Sequence, residues 1–328
     1  MDMETVNKTI LYLVLPCYNE EETLEYSAKE VKRKLEELVQ NGKISPESKA
    51  LFVNDGSKDN TLHRLHELAK KDDIYAVVSL SSNRGHQNAI MAGMMVAKEY
   101  ADAVITIDAD LQQDIEAVDE FLEKYHNGCD VVYGVRNDRK TDGFFKKGTA
   151  LAYYGLMRSM GTKVITNHAD YRLLSKRALN YLEGYEESNL FLRGLIPTMG
   201  FNSDVVYFDV KERQFGESKY TLNKMLTLAM DGITSLSIKP LRLISGMGFL
   251  VFIFSIALGI FTFVEYIKGS NIPGYTTSIF VSLLTGGITL LSLGVMGEYI
   301  GKIYMETKHR PRYMIDSVVI HQNKDDNR

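Results

Sequence analysis

The regular structure of the chain begins in residues 10–39, which read ILYLVLPCYNEEETLEYSAKEVKRKLEELV. The first part, Ile10 to Pro16, is a continuous apolar run, as expected of a strand buried on both faces of a parallel sheet. The second part, Glu20 to Val39, has helical periodicity and many charges, which is typical of a helix that covers such a sheet. This stretch therefore predicts the first unit of a layered α/β domain.

The same pair of elements recurs downstream. Strands are predicted over residues 50–53, 74–80, 103–107 and 130–135, and helices over about 59–70, 86–100 and 114–126. Asp59 is a candidate cap for the first of these helices. The repeat predicts a doubly wound, mostly parallel sheet, in which ligands bind beyond the carboxyl ends of the strands.

Polar residues cluster directly after the predicted strands. The clusters are Tyr18-Asn19-Glu20, Asp55-Gly56-Ser57, Asn83-Arg84-Gly85 and Asp108-Ala109-Asp110. In the last cluster two carboxylates face one crevice, where their repulsion favours a bound cation such as Mg²⁺ or Mn²⁺. A helix cap with a solvated loop stays open for this cluster, and a plain turn for Asp55-Gly56-Ser57. His86 and His168 lack the spacing of metal ligands, so capping or surface roles are predicted for both.

Two common phosphate-binding signatures are absent from the sequence. The first strand runs into LPCYNEEE at residues 15–22 rather than a Gly-x-Gly-x-x-Gly turn, which argues against a dinucleotide fold of the dehydrogenase kind. No Gly-x-x-x-x-Gly-Lys-Ser/Thr loop occurs, which excludes a P-loop ATPase. A phosphate-bearing ligand therefore needs another neutralising group, and a carboxylate-bound divalent metal is the candidate.

The composition excludes several classes of protein. The chain has 38 Lys and Arg against 42 Asp and Glu, a net charge of −4 that argues against a general nucleic-acid binder. Apolar residues at 45% and charged residues at 24% indicate a folded chain. Cys17 and Cys129 form no C-x-x-C pair, which argues against a disulfide framework and fits a reducing compartment. The acidic, polar N-terminus predicts no secretory signal.

Two uncharged stretches near the C-terminus, residues 243–264 and 276–297, are each long enough to cross a membrane as a helix. Their outer flanks carry an excess of basic residues: Lys239, Arg242, Lys302, Lys308, Arg310 and Arg312. This excess predicts a transmembrane hairpin with both flanks and the large N-terminal part in the cytoplasm. A pair of buried core helices is the alternative.

The predicted layout has four parts. A catalytic domain spans residues 1–219, a juxtamembrane amphipathic helix 220–240, the hairpin 241–300 and a cytoplasmic tail 301–328. For the juxtamembrane segment a core helix stays open. The alternating stretch over 315–320 is expected to form a strand that pairs with a neighbouring subunit, which leaves a homo-oligomer open.

Six sequence blocks in a fixed order carry a family resemblance. The blocks are LVLPCYNEEETL (13–24), VNDGSKDNT (53–61), NRGHQNAIMAG (83–93), DADLQQD (108–114), NHADYRLLSKRAL (167–179) and RQFGESKY (213–220). The first four resemble the family 2 glycosyltransferases, whose fold is the nucleotide-sugar-binding GT-A fold. The last two and the hairpin resemble the polyprenyl-phosphate glycosyltransferases, relatives of dolichol-phosphate mannose synthase and bactoprenol glucosyltransferase. The resemblance extends over about residues 10–312.

The resemblance also implies roles for individual residues. The nucleotide pocket would be lined by Pro16, Tyr18, Glu20 and Asp55, with Asp108 at the ribose or a metal-bound water, Asp110 on the metal, and Gln112 nearby. Arg213, Ser218 and Lys219 would close over the diphosphate, and Arg136 and Lys147 would hold the acceptor phosphate. Lys147 stands in place of a second arginine, and lysine makes no bidentate contact. Asp170 matches the proposed catalytic aspartate, with Arg172 beside it.

The implied reaction is an inverting transfer of one sugar to polyprenyl (undecaprenyl) phosphate at the cytoplasmic face of the cell membrane. UDP-glucose is the first choice of donor, and GDP-mannose, UDP-N-acetylglucosamine and a modified arabinose donor are alternatives. Because the lipid phosphate is mostly ionised near neutrality, Asp170 is expected to orient groups or stabilise charge as much as to accept a proton. A processive polysaccharide synthase and a non-catalytic nucleotide-sugar-binding module are the competing interpretations.

Overall fold

The computed structural model describes residues 8–137, 167–187, 190–210, 239–268 and 274–321. Its strands are β1 (Leu11–Cys17), β2 (Lys49–Asn54), β3 (Tyr75–Leu80), β4 (Ala103–Thr106), β5 (Val131–Arg136), β6 (His168–Ser175), β7 (Ser203–Phe208) and β8 (Ile315–Val319). Its helices are α1 (Leu24–Gln40), α2 (Thr61–Lys71), α3 (His86–Ala97), α4 (Val118–His126), α5 (Lys176–Glu183), α6 (Leu192–Leu195), α7 (Lys239–Ile267) and α8 (Tyr275–Thr307). The five predicted strands and the four predicted helices of the N-terminal part are confirmed.

One mixed sheet holds all eight of these strands, in the order β7-β5-β6-β4-β1-β2-β3-β8. Strands β4, β1, β2 and β3 are parallel neighbours, so the mostly parallel, GT-A-like sheet is confirmed. Strand β6 lies antiparallel between β4 and β5, and it was not predicted as a strand. His168, Asp170 and Arg172 alternate with apolar residues, but the whole strand is buried, and it lacks the continuous apolar run expected of a buried strand. The insertion brings Asp170 to the same edge as the carboxyl ends of β4 and β5.

The strand expected in the C-terminal tail is present as β8. It pairs antiparallel with β3 of the same chain, with Val77 opposite Val319. Pairing of the tail with a neighbouring subunit stays a prediction. Only a short connection separates α8 from β8, so the chain returns to the nearest open edge of its own sheet. The oligomeric state stays a prediction.

Helix α3 packs unusually close to the sheet. A Cβ atom on Gly93 would lie 2.5 Å from Cγ1 of Val14 and 2.6 Å from Cγ2 of Val53, so only glycine permits this approach. The other face of the sheet is covered by α1, α2 and α4 around Leu13 and Phe52. Because α3 is pressed against β1 and β2, its first residue, His86, is held at the carboxyl edge of the sheet.

Helices α7 and α8 contain the two predicted spans within their bounds. Within α7, Pro240–Leu258 is long and apolar enough to cross a membrane, with a mean hydropathy of 2.1 over 19 residues. Large apolar side chains on both helices are exposed, including Phe249 at 64% and Leu290 at 72%, so the alternative of buried core helices is wrong. The predicted juxtamembrane helix lies outside the described residues over 220–238.

Candidate active site at the carboxyl edge of the sheet

The loops after β1 and β2 are tied together by hydrogen bonds. The amide N of Asn19 donates to Oγ of Ser57 over 3.0 Å, and the amide N of Lys58 donates to Oδ1 of Asn19 over 2.8 Å. The amide N of Glu20 donates to Oγ1 of Thr61 over 2.9 Å, at the start of α2. These bonds place Tyr18, which is exposed, and Glu20 beside the loop that contains Asp55. Pro16 lies one residue before the end of β1.

Asp55 is buried and supports the start of α3. Its Oδ1 accepts the amide of Arg84 over 2.7 Å, and its Oδ2 accepts the amide of Gly85 over 2.9 Å. Burial raises the pKa of the Asp55 carboxyl, and these two amides partly oppose the rise. Gly56, at φ +62°, leaves no room for a Cβ because Asn83 N would lie 2.5 Å away. This loop is therefore a fixed junction between β2 and α3 rather than a plain solvated turn.

Asp108 and Asp110 follow β4 and are held in a compact turn. The amide of Asp108 donates to Oε1 of Gln113 over 2.7 Å, and Nε2 of Gln113 donates back to the Asp108 carboxylate. The amide of Gln112 donates to Oδ1 of Asp110 over 3.2 Å. Burial raises the pKa of Asp108, His86 opposes the rise, and the charges of Asp170 and Asp110 add to it.

A divalent metal fits this turn. Among the described residues, the buried Oδ1 atom of Asp108 accepts no hydrogen bond. An orphaned carboxylate oxygen beside a second carboxylate is the donor set that Mg²⁺ or Mn²⁺ prefers. Gln113, which the sequence analysis does not single out, orients the Asp108 carboxylate through a hydrogen bond.

Asp170 in β6 is the most constrained carboxylate of the site. Arg172 Nη2 donates to its Oδ1, and Oδ2 accepts from Arg193 Nη2 over 2.7 Å and from Gln87 Nε2 over 3.2 Å. Its carbonyl oxygen accepts from Oγ1 of Thr106 in β4 over 2.8 Å. Burial alone would raise the pKa of Asp170, but Arg193, His86 and Arg172 outweigh it and hold that pKa well below the usual range. Asp170 is therefore a fixed anion and a weak proton acceptor.

His86 is an exposed residue with two acidic neighbours. Its Nε2 lies 3.4 Å from Oδ1 of Asp108 and 3.7 Å from Oδ2 of Asp170, so it stands between the two carboxylates. Burial would lower the pKa of His86, but Asp170 and Asp108 raise it by more. The imidazole is 46% exposed, so the predicted surface position is confirmed, and its contacts with two carboxylates go beyond that role. The missed signal was its place directly after the β3 loop, at the edge where the other polar clusters meet.

His168, unlike His86, is buried, so the surface role predicted for it is wrong. It is 3% exposed and packs edge-on against the ring of Tyr133, with centroids 5.0 Å apart. Burial, followed by the charge of Arg172, lowers its pKa well below the usual value. Both ring nitrogens lack a hydrogen-bond partner within the described parts of the chain.

The remaining predicted residues divide into two groups. Arg136 ends β5 at the same edge, and its amide donates to the carbonyl of Asn167 over 3.1 Å. Lys147, Arg213, Ser218 and Lys219 lie outside the described residues. Arg193 belongs to the site although no motif predicted it, because only the tertiary contact with Asp170 identifies it.

A second acidic cluster lies away from this edge. The carboxylates of Glu37, Glu116 and Asp119 come within 4.8 Å of one another. The buried ammonium of Lys34 lies 2.6 Å from Glu116 and 2.5 Å from Asp119, which accounts for their proximity. These carboxylates therefore form an ion-pair network with a lysine.

Comparison with known proteins identifies the family. Residues 12–182 match the glycosyl transferase family 2 domain. The chain belongs to this family. Residues 239–303, which include most of α7 and α8, match the GtrB C-terminal hairpin. The protein is therefore a family 2 glycosyltransferase with a GtrB-type hairpin.

Two relatives extend over nearly the whole chain. The uncharacterized glycosyltransferase YkoT of Bacillus subtilis (strain 168) is 45% identical, over 94% of this chain and 92% of the relative. The bactoprenol glucosyl transferase of Shigella phage SfX is 39% identical, over 93% of this chain and 98% of the relative. Among solved structures, the glucosyl-3-phosphoglycerate synthase of Mycobacterium tuberculosis with Mn²⁺ and UDP-glucose has a TM-score of 0.47 at 18% identity, covering 70% and 78% of the two chains.

Proposed function

We propose that this glycosyltransferase moves a single sugar from a nucleotide sugar to polyprenyl (undecaprenyl) phosphate, with inversion at the anomeric carbon. The observation that carries the proposal is the buried, ionised Asp170 near Asp108, with the imidazole of His86 between the two carboxylates and the guanidinium of Arg193 on Asp170. This arrangement suits a reaction in which charge moves between two phosphate groups and no strong base is needed.

The lipid acceptor is supported by the relatives and the hairpin. A relative 38% identical over 92% of this chain is named bactoprenol glucosyl transferase, and residues 239–303 of this chain match the GtrB C-terminal hairpin. A helix that is apolar and exposed along most of its length brings the catalytic domain to a membrane, where an isoprenoid phosphate resides. The names of these relatives also make UDP-glucose the first choice of donor, ahead of GDP-mannose, UDP-N-acetylglucosamine and aminoarabinose-type donors.

The nucleotide sugar would lie across the carboxyl edge of β1, β2 and β4. Pro16, Tyr18, Glu20 and Asp55 would contact the nucleoside, with Gln112 near the diphosphate. Asp110 and Asp108 would hold Mg²⁺ or Mn²⁺, which stabilises the negative charge that develops on the leaving nucleoside diphosphate. Arg213, Ser218 and Lys219 are proposed to close over the same group.

The acceptor phosphate needs little activation. Its second pKa is about 6, so near neutrality an oxygen is already ionised and can attack the anomeric carbon directly. Arg136 and Lys147 would bind this phosphate. Asp170, fixed by two guanidinium groups, would stabilise positive charge on the sugar ring and orient the attacking group.

The membrane arrangement follows from the charges on the flanks. We propose that α7 and α8 both cross the cell membrane as residues 241–300, that a catalytic domain over 1–219 lies in the cytoplasm, and that residues 220–240 lie along the membrane surface. The tail, 301–328, returns to the sheet of the catalytic domain through β8.

The test is a transfer assay with the full-length protein in lipid nanodiscs. Labelled UDP-glucose, GDP-mannose, UDP-N-acetylglucosamine and UDP-aminoarabinose are offered separately with undecaprenyl phosphate and Mg²⁺ or Mn²⁺. Transfer of one sugar into the butanol-soluble lipid, with inverted anomeric configuration, supports the proposal. Water-soluble polymer supports a processive synthase, binding without transfer supports a non-catalytic module, and a retained configuration contradicts single displacement.

A further inference from the structure

Gln87, in the first turn of α3, uses both ends of its side-chain amide. Its Nε2 donates to Oδ2 of Asp170 over 3.2 Å. Its Oε1 accepts the main-chain amide of Leu192 over 3.2 Å. One half-buried side chain is therefore bonded to strand β6 and to the first residue of α6.

These two elements are far from Gln87 in sequence. Asp170 is 83 residues away and Leu192 is 105 residues away. Helix α6 has only four residues, so its own hydrogen bonds hold it weakly in place. Arg193, the next residue of α6, donates to the same Oδ2 atom of Asp170 over 2.7 Å. Gln87 thus closes a hydrogen-bonded ring that contains the carboxylate of Asp170, the guanidinium of Arg193 and the main-chain amide of Leu192.

The anchor of this ring is rigid. Helix α3 packs so closely on β1 and β2 that a Cβ on Gly93 would meet Val14 and Val53 within 2.6 Å. Asp55 also binds the amides of Arg84 and Gly85 just before the helix. The backbone of residue 87 is therefore fixed, so its side chain can hold Asp170 and Arg193 in place.

We propose that Gln87 is a positioning residue that holds Asp170 and Arg193 in one arrangement for sugar transfer. The inference rests on the proposed function, because Asp170 and Arg193 are assigned to that reaction. Gln87 itself is the neutral member of the hydrogen-bond ring, and it acts through Asp170 and Arg193. Its loss is expected to slow the chemical step more than it weakens donor binding, since misplacement by about 1 Å can cost about 100-fold in rate.

The experiment compares three variants of the full chain in nanodiscs. Gln87→Leu removes both hydrogen bonds with a side chain of similar size. Gln87→Glu keeps the acceptor for the amide of Leu192 but removes the donor to Asp170. Gln40→Leu, at the exposed end of α1, is the matched control. Two readouts are taken: kcat and KM for the donor, and hydrogen–deuterium exchange of the peptide that contains Leu192.

We expect Gln87→Leu to lower kcat about 10- to 100-fold, with KM for the donor within about threefold and faster exchange at Leu192. Gln87→Glu should lower kcat while exchange at Leu192 stays slow, and Gln40→Leu should change neither. In an Arg193→Ala background, Gln87→Leu should cost less than about threefold further, because coupled residues are not additive.

Unchanged exchange at Leu192 in Gln87→Leu, or an unchanged kcat, would overturn the inference. An equal loss of kcat with and without Arg193 would also overturn it, because the two side chains would then act independently. Failure of the wild-type protein to transfer sugar from any donor contradicts the proposed function instead, and exchange at Leu192 still tests the hydrogen-bond ring by itself.

Discussion

Lys34 and Asp170 are both buried charged side chains, 1% and 4% exposed, and each is surrounded by opposite charges. The ammonium of Lys34 contacts Glu37, Glu116 and Asp119, which are 39%, 48% and 32% exposed. The carboxylate of Asp170 contacts Arg172, which is 0% exposed, and Arg193, which is 38% exposed.

The two clusters differ in what they leave unsatisfied. Around Lys34, each carboxylate lies within ion-pair distance of the ammonium. Around Asp170, buried atoms of Arg172, His168 and Asp108 have no hydrogen-bond partner within the described residues. Buried polar groups are normally paired, so unpaired ones at a strand edge indicate a place that a ligand completes. The Lys34 cluster is satisfied within the fold, and under the proposed function substrate would complete the Asp170 cluster.

The largest effect is expected for Asp170→Asn. Loss of the fixed anion should lower kcat about 1000-fold, or about 4 kcal/mol in transition-state free energy, because an oriented charge is removed from a water-poor site. The measurement is kcat for lipid-linked sugar, with folding checked by circular dichroism. Asp119→Asn in the Lys34 cluster is the matched control and should keep kcat within about twofold. An equal loss of kcat in both variants would contradict a functional difference between the two clusters.

Asp110→Asn tests the metal assignment. With a neutral ligand in place of a carboxylate, kcat should fall about 100-fold at a fixed metal concentration, and excess Mn²⁺ should recover part of the loss. The readout is activity against Mn²⁺ concentration, with binding of Mn²⁺ followed separately by calorimetry. Asp114→Asn, on the following turn, is the control. Full activity of Asp110→Asn after treatment with a chelator would contradict a metal on this residue.

Lys34→Met tests the other cluster. Removing the buried ammonium leaves Glu37 and Glu116 with only Arg33, and Asp119 with only Lys43, as cationic partners. The free energy of unfolding should fall by about 2 kcal/mol, less than for a fully buried pair because these carboxylates are partly exposed and keep another partner. Thermal denaturation in detergent measures the loss, and kcat should stay near the wild-type value at temperatures where both proteins are folded. A large fall in kcat with little loss of stability would place Lys34 in the catalytic machinery.

The smallest effect concerns pH. Burial would raise the pKa values of Glu116 and Asp119, but hydrogen bonds from Lys34 outweigh it and lower both. Carboxyls with a lowered pKa in the folded state add stability above their unfolded pKa, about 4, and lose it as pH falls through the folded value. The difference in the free energy of unfolding between wild type and Lys34→Met should therefore shrink on acidification from pH 6 to pH 3. A gap that widens in this window would contradict the ion-pair assignment.

Much of the domain was predictable because its signals are local. The apolar runs at Leu11–Cys17 and Ala103–Thr106 and the periodicity of Leu24–Gln40 depend on neighbouring residues, and the structure confirms each. Strand β6 was not predicted because His168, Asp170 and Arg172 interrupt the continuous apolar run expected of a strand buried on both faces. The burial of His168 and the carboxylate contacts of His86 were not predictable either, since spacing along the chain does not show what faces a side chain across a sheet.

By itself the sequence determined the strand–helix repeat, the two long apolar helices and the aspartates that end β4, because apolar patterning and turn chemistry act over a few residues. Only the tertiary structure decided that β6 enters the sheet antiparallel between β4 and β5. That choice brings Asp170 to His86, Gln87 and Arg193, which lie as far as 84 residues along the chain. The physical reason is that strand order and loop packing determine which charged side chains come into contact, and local periodicity predicts neither of them.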